Sequence, residues 1–202
     1  MVMNTTNYTS SNLQKHTSGN PLQRYLLGRF HTAAGALLAR IEPRPLQILD
    51  AGCGEGFAMR EVLAELPGAV LGLDGSAGAL RVAEELNPGR GFTAGDLYAL
   101  PFLPGSFDLV VCMEVLEHLD QPERGLAELL RVSRDWLLLS VPNEPLFRGA
   151  NFLRGKNVAA WGNDPGHVNH WSAWAFRRFV GRHCRIVATC TSFPWTLALC
   201  RI

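Results

Sequence analysis

The sequence predicts an α/β protein built on a mostly parallel sheet, and three observations carry that prediction. Near-continuous apolar runs, "LQILD", "AVLGLD", "FDLVVCM" and "WLLLSV", recur along the chain, as strands buried on both faces of a parallel sheet do. Segments of helical periodicity separate these runs. Two β-type runs close the chain, "CRIVATCTSF" and "WTLALCRI", with little more than Pro194 between them. That link is too short for a parallel crossover and marks an antiparallel hairpin.

The elements follow in order. Asn20, Pro21 and Gln23 read as a helix start, an N-cap with proline in the first turn. Leu22, Leu26, Phe30, Ala33 and Leu37 then recur at helical spacing, so an amphipathic helix precedes the first strand. The strand "LQILD" leads to a helix "FAMREVLAEL", the strand "AVLGLD", and a helix "AGALRVAEEL" opened by Ser76. "GFTAGD" is a short third strand, "FDLVVCM" the fourth and "WLLLSV" the fifth. Between the last two, Asp120, Pro122 and Glu123 make a capping-box start for "GLAELLRVS". Ser172 opens the final helix, "SAWAFRRFVGRH", ahead of the hairpin.

A chain of 202 residues, 47% of them hydrophobic, buries one substantial core, so residues 1–202 are expected to form a single domain. Residues 1–20 are expected to be flexible. The start "MVMNTTNYTSSN" is polar and lacks the basic start and apolar run of a secretion signal. No apolar stretch is long enough to cross a bilayer. A cytoplasmic protein with at most peripheral membrane contact is the expectation. The five cysteines are odd in number and lack CxxC spacing, which points to reduced, buried thiols and away from disulfides or a zinc knuckle. Net charge is +1, but residues 146–202 carry eight Arg or Lys against one acid, Asp164, a local +7 that leaves −6 for the rest.

The stretch "LQILDAGCGEGF" carries the first functional signal. Asp50 falls at the carboxyl end of the first strand, where open α/β sheets bind ligands. Gly52, Gly54 and Gly56 let the backbone turn tightly and approach a ligand. An acid there repels phosphate, so the spacing GxGxG with Asp50 argues against a dinucleotide pyrophosphate and for a ligand bearing an ammonium group. About 22 residues after Gly52 the second strand ends at Asp74, placed to accept hydrogen bonds from two ribose hydroxyls. Asp96 ends the third strand. Any one such acid can instead cap a helix or turn, and Asp108, which opens the fourth strand, is assigned to the loop before it.

In their order and spacing, "ILDAGCGEGF", "LGLDGS", "AGDLYALPF" and "FDLVVCMEVLEHL" resemble the successive motifs of class I S-adenosylmethionine-dependent methyltransferases. The likeness covers Leu46 to Asn143 and is to the ubiquinone and menaquinone biosynthesis type. It implies a Rossmann-like, seven-stranded, mostly parallel sheet with an antiparallel last strand and helices on both faces. It implies S-adenosyl-L-methionine as cofactor: Asp50 and Gly52, Gly54 and Gly56 at the methionine end, Asp74 at the ribose, and Asp96 with the Leu97 amide at the adenine. Met113 would offer its backbone carbonyl to the cofactor's amino group. Gly75 departs from the family, which often has an apolar residue there to pack on the adenine.

In "MEVLEHL", Glu114, Glu117 and His118 stand at i, i+3 and i+4 and share a face on a helical turn. His118 and the later His167 are the candidate general bases. The set Glu114, Glu117 and His118 resembles the metal ligands of ubiquinone-pathway O-methyltransferases, and with His167 those of small-RNA 3′-end methyltransferases. The same turn occurs in relatives without metal, so no metal is assigned, a hydrogen-bonded acidic turn being the alternative. His170 is expected to cap or pack beside Ser172.

The resemblance implies methyl transfer to a small-molecule acceptor, to an oxygen, the acceptor being anionic or lipid-linked. Two alternatives stand beside it. One is 2′-O-methylation of RNA ends, favoured by the basic C-terminal part and opposed by the near-neutral whole; the other is a non-catalytic cofactor-binding partner subunit. Residues 143–171 form a connection long enough to be a substrate-side insertion or lid. It carries Phe147, Phe152, Trp161 and Trp171 among Arg148, Arg154 and Lys156, followed by Arg177, Arg178 and Arg182. The aromatics would wall an acceptor whose anionic group the cations receive; the alternative is aromatics in the core and arginines in solvent. The resemblance further implies that "LQKHTSGNPLQRYLLGRF" completes the lid.

Overall fold

The computed structural model describes residues 8–153, 155, 161–164 and 166–202. The chain runs α1 (Ser11–Thr17), α2 (Pro21–Leu38), β1 (Gln47–Ala51), α3 (Phe57–Glu61), β2 (Ala69–Asp74), α4 (Ala77–Leu86), β3 (Gly91–Ala94) and β4 (Phe107–Met113). A 3-10 turn, Leu116–His118, precedes α5 (Pro122–Val132), β5 (Ser133–Pro142), α6 (Glu144–Leu153), α7 (Ala173–Val180), β6 (Arg185–Ser192) and β7 (Trp195–Arg201).

One seven-stranded sheet has the order β3-β2-β1-β4-β5-β7-β6. Strands β1 to β5 pair in parallel, whereas β7 is antiparallel to both β5 and β6. The final hairpin therefore inserts its last strand beside β5 and leaves β6 at the edge, the mixed sheet the sequence predicts.

Strand alternation divides the core between the two faces. On β4, Val110 and Cys112 face the α5 and α7 side with Leu126, Leu129, Phe176 and Val180. Leu109 and Val111 face the other side, where Leu27, Phe30, Leu37 and Leu38 of α2 pack with Met59 of α3. Four large apolar side chains at about 1.5–3 kcal/mol each make α2 an integral layer of the fold. Its buried stripe is set one residue off the sequence reading at two places, with Leu27 and Ala34 buried and Leu22 exposed.

Several boundaries differ from expectation. The helix expected over "FAMREVLAEL" stops at Glu61, and "GFTAGD" is a strand only over Gly91–Ala94. Asp120 does not cap α5; Gln121 takes that position without a side-chain cap bond, and Pro122 opens the helix. The Gln121 amide is held instead by the Tyr98 hydroxyl at 3.1 Å. Within residues 1–20, expected to be flexible, the described part contains α1, capped by Ser10 and joined to α2 by Gln23 Nε2 donating to the Lys15 carbonyl at 3.0 Å. Asp108 serves the chain before β1, its Oδ2 accepting from the amides of Leu46 and Gln47 at 2.9 and 3.0 Å. All five cysteines are free, three of them buried. Among the described residues no helix is long and apolar enough to cross a membrane.

Candidate active site

The carboxyl ends of β1, β2 and β4 converge on a cavity of about 300 Å³ lined by Asp50, Gly52, Gly54, Asp74 and Met113. After β1 the chain reverses by three residues in the left-handed region, Gly52, Gly54 and Gly56, with φ of 76°, 52° and 76°. A Cβ on Gly52 would stand 2.5 Å from Val115 Cγ2, and one on Gly56 2.5 Å from Asn87 Nδ2, so both conformation and space demand glycine. The amides of Gly52 and Cys53 donate to the Leu73 carbonyl, which fastens the turn to β2. Asp74 completes the fastening: Oδ2 accepts from the Gly54 amide at 2.9 Å and Oδ1 from the Ser76 amide at 2.8 Å.

Asp50 is buried, and its Oδ2 has no hydrogen-bond partner. Burial, with the nearby Asp74 charge adding to it, pushes the Asp50 carboxyl up to about 7. An unpartnered carboxyl oxygen beside a glycine turn has the chemistry to accept a hydrogen bond from an ammonium group. Gly56, Gly75, Asp96 and Leu97 are not on the wall of this cavity. Asp96 Oδ1 accepts from the Tyr98 amide at 2.8 Å, and a Cβ on Gly75 would meet only the Gly95 carbonyl, at 3.7 Å.

Sequence reasoning anticipated Lys15 and His16, within the segment expected to complete the lid, but missed the roof that Glu55 ties down. Glu55 is buried and accepts from Tyr8 Oη at 3.2 Å, from Ser10 Oγ, and from Asn12 Nδ2 at 2.5 Å. These three residues, with Lys15 and His16, line the cavity from the N-terminal side. His16 stacks on Phe57 at 4.0 Å between ring centroids, and burial with the Lys15 charge pushes its pKa down to about 3.

A second cavity, of about 890 Å³, adjoins the first and shares Asn12, Lys15, Glu114 and His118 with it. Its wall also carries Leu26, Glu117, Phe147, His167, Phe193 and Trp195. Glu114 takes φ of 60°, so Glu114, Glu117 and His118 do not lie on one continuous helical turn as expected. Glu114 Oε1 accepts from Ser140 Oγ at 2.9 Å. Glu117, His118 and His167 do converge: each offers a ligand atom, all within 4.8 Å of one another. Both Glu117 oxygens are buried without a partner, and burial, with Glu114 beside it, raises its pKa well above the carboxylate range.

The histidines are oriented through Nδ1. His118 Nδ1 lies 2.7 Å from the Gly166 carbonyl, which only accepts, so Nδ1 carries the proton and Nε2 the lone pair. Partial burial lowers the His118 pKa and keeps its ring neutral at neutral pH. His167 Nδ1 lies 2.6 Å from Glu144 Oε1, both residues being buried. Glu144, from the first turn of α6, is a further residue the sequence reading passed over. His170 stands 3.6 Å from the same oxygen.

The aromatic and basic residues of the expected lid fall in different places. Phe147 lines the larger cavity and lies 5.2 Å from the His167 ring. Trp171 instead packs with Phe176 and Phe179, and Phe152 stacks on the exposed Trp161. Arg148, Arg177, Arg178 and Arg182 line neither this cavity nor the smaller one. Arg154 and Lys156 lie outside the described residues.

Residues 49–135 match the family model of a methyltransferase domain. The sheet order, the glycine turn and that match make the chain similar to class I S-adenosylmethionine-dependent methyltransferases, whose cofactor is S-adenosyl-L-methionine. Within that class the chain is similar to quinone-pathway enzymes. A demethylmenaquinone methyltransferase of Renibacterium salmoninarum is 39% identical over 88 residues, 44% of this chain and 37% of that protein. A ubiquinone biosynthesis O-methyltransferase of Albidiferax ferrireducens is 38% identical over 106 residues, 48% of this chain and 41% of that protein. The chain thus spans about two fifths of the length of these relatives. A magnesium protoporphyrin IX methyltransferase from Synechocystis PCC 6803, solved with bound SAH, shares the fold with a TM-score of 0.69 at 20% identity, over 95% of this chain and 94% of that one.

Proposed function

We propose that this protein transfers a methyl group to an oxygen of a small-molecule acceptor with an apolar body. The observation that carries the reading is the pair of adjoining cavities, one bearing the orphaned Asp50 carboxylate and the glycine turn, the other walled by Leu26, Phe147, Phe193 and Trp195. S-adenosylmethionine supplies the electrophilic methyl carbon. In this reading Asp50 receives the ammonium group, the Gly52 and Gly54 backbone allows close approach, and Asp74 and Met113 offer acceptors along the same wall. Holding an acceptor against that wall contributes through proximity and exclusion of water, worth about 7–11 kcal/mol at best. His118 and His167, each fixed through Nδ1, leave Nε2 to take the acceptor's proton.

A second reading of the same cluster is favoured by Glu117, whose two buried oxygens lack partners beside two imidazoles. Glu117, His118 and His167 would then hold a divalent ion such as Mg or Mn, whose charge lowers the pKa of an acceptor hydroxyl. The test is a screen of metabolite extracts with isotopically labelled S-adenosylmethionine, read by mass spectrometry, with and without chelator. A labelled O-methyl product supports methyl transfer, and failure to bind S-adenosylhomocysteine refutes it. Activity that survives chelation supports the base, whereas activity lost and restored by Mg or Mn supports the metal.

A further inference from the structure

Lys15 is a cation at the centre of the site whose contact among the described residues is an aromatic ring and not a hydrogen-bond acceptor. It lies in the wall common to both cavities and, among the described residues, is the only Lys or Arg lining either of them. Its side chain is half-buried. Among the described residues its ammonium makes no hydrogen bond and lies within 4.0 Å of no carboxylate; it rests over the Trp195 ring, 4.7 Å from the centroid. Of the nearby acids, Glu114 is engaged with Ser140, Glu55 with Tyr8, Ser10 and Asn12, and Glu144 with His167, whereas Glu117 on the same wall has neither oxygen bonded. The backbone around Lys15 is fixed, because its carbonyl accepts from Gln23 and its neighbour His16 stacks on Phe57. A partly desolvated ammonium held in place with open hydrogen-bonding capacity favours an anion.

We infer that Lys15 is the receptor for a carboxylate on the acceptor, at the junction of the cofactor and acceptor cavities. The acceptor is then an acid with an apolar body: the carboxylate lies against Lys15, and the body against Leu26, Phe147, Phe193 and Trp195. The arginines of α7, exposed and off the cavity wall, have no part in holding it. The inference rests on the methyltransferase reading and deepens it by naming the substrate class and the specificity-determining residue.

The test uses the full chain saturated with S-adenosylhomocysteine and titrated with benzoate and hexanoate, each against its neutral amide, by protein-observed NMR. Calorimetry first measures S-adenosylhomocysteine binding for each variant. The acids should bind roughly tenfold or more tighter than the amides, the ratio expected of one charge-assisted hydrogen bond. Lys15→Met, which keeps an apolar stem over Trp195, should abolish that preference and Lys15→Arg should retain it, each variant being titrated at the S-adenosylhomocysteine concentration that saturates it. Equal binding of acids and amides by the wild type, or an undiminished preference in Lys15→Met, would overturn the inference and leave the methyltransferase reading standing. Absence of S-adenosylhomocysteine binding in the wild type would overturn both.

Discussion

The Asp50 carboxyl, pushed from 3.8 up to about 7 by burial and by Asp74, makes both stability and cofactor binding depend on pH. A group whose folded pKa exceeds its unfolded value stabilises the fold when protonated. That contribution is fully present below the unfolded pKa and is lost as pH rises through the folded one. A shift of about three units at 1.36 kcal/mol each makes the loss roughly 4 kcal/mol between about pH 4 and pH 7. Binding runs in the opposite sense, because an ammonium ligand needs the ionised carboxylate. The ionised fraction is about 1% at pH 5 and half at pH 7, so S-adenosylhomocysteine affinity should rise about fiftyfold over that interval and less than about twofold by pH 8. His16, on the same wall, is held down to about 3 and stays neutral throughout, so it does not supply this slope. Titration calorimetry across the range measures the slope, with Asp50→Asn as the control that removes the titrating group. The variant should bind weakly with a nearly flat pH profile, and the difference in unfolding free energy between wild type and variant should change by roughly 4 kcal/mol between about pH 4 and pH 7. A flat wild-type profile, or an equal slope in Asp50→Asn, would refute the assignment of Asp50 as the ammonium receptor.

Gly56→Ala should cost about 2–4 kcal/mol, from a left-handed φ and displacement of the Asn87 amide that bonds the Gly56 and Ala83 carbonyls. Calorimetry of the cofactor-free protein should show the melting temperature lowered by about 5–15 °C; an unchanged value would mean the turn relaxes freely. Asp74→Ala should weaken S-adenosylhomocysteine binding roughly tenfold to hundredfold, because a charged hydrogen bond is worth about 1.5–3 kcal/mol. Unchanged affinity would confine Asp74 to its contacts with Gly54 and Ser76. Glu144→Gln should lower kcat about tenfold to hundredfold while S-adenosylhomocysteine affinity stays level, because the carboxylate that orients His167 is gone. Full kcat in that variant would show that His167 needs no orientation.

The parts of the site that the sequence made legible are those encoded locally. Asp50, Gly52, Gly54 and Asp74 are read from strand ends and glycine spacing and Met113 from the family resemblance, and all five line one cavity. Gly56 and Asp96, read from the same pattern, and Gly75 and Leu97, implied by the resemblance, stand off its wall; β3 ends at Ala94, short of Asp96, whose Oδ1 accepts from the Tyr98 amide. The face expected of Glu114, Glu117 and His118 assumed regular helix, and the left-handed backbone at Glu114 broke it. His167 joined Glu117 and His118 through an amide contact no spacing reveals, the Val168 amide donating to the Glu117 carbonyl at 2.8 Å. Glu144 follows β5 directly, and an acid in a first helical turn already has a sufficient explanation in the helix dipole, which masked its role beside His167. Glu55 sat in view between two glycines, but its partners Tyr8, Ser10 and Asn12 lie 43 to 47 residues away.

That long-range cluster ties the two cavities to one N-terminal segment. Helix α1 and residues 8–10 meet the rest of the fold through three donors on Glu55, a ring stack of His16 on Phe57, Lys15 over Trp195, and Gln23 Nε2 donating to the Lys15 carbonyl. Three bonds to a carboxylate at about 1.5 kcal/mol net each sum to about 4–5 kcal/mol, enough to hold the segment closed yet within the usual range of local opening energies. Burial adds little to that hold, for none of the α1 residues is buried, whereas five apolar residues of α2 are. The junction between α1 and α2 therefore separates a polar latch from an apolar anchor. Opening at Glu55 would uncover the Asp50 cavity and, in the same motion, withdraw Lys15 from the wall it shares with the acceptor cavity, so exchange at one cavity is mechanically linked to recognition at the other.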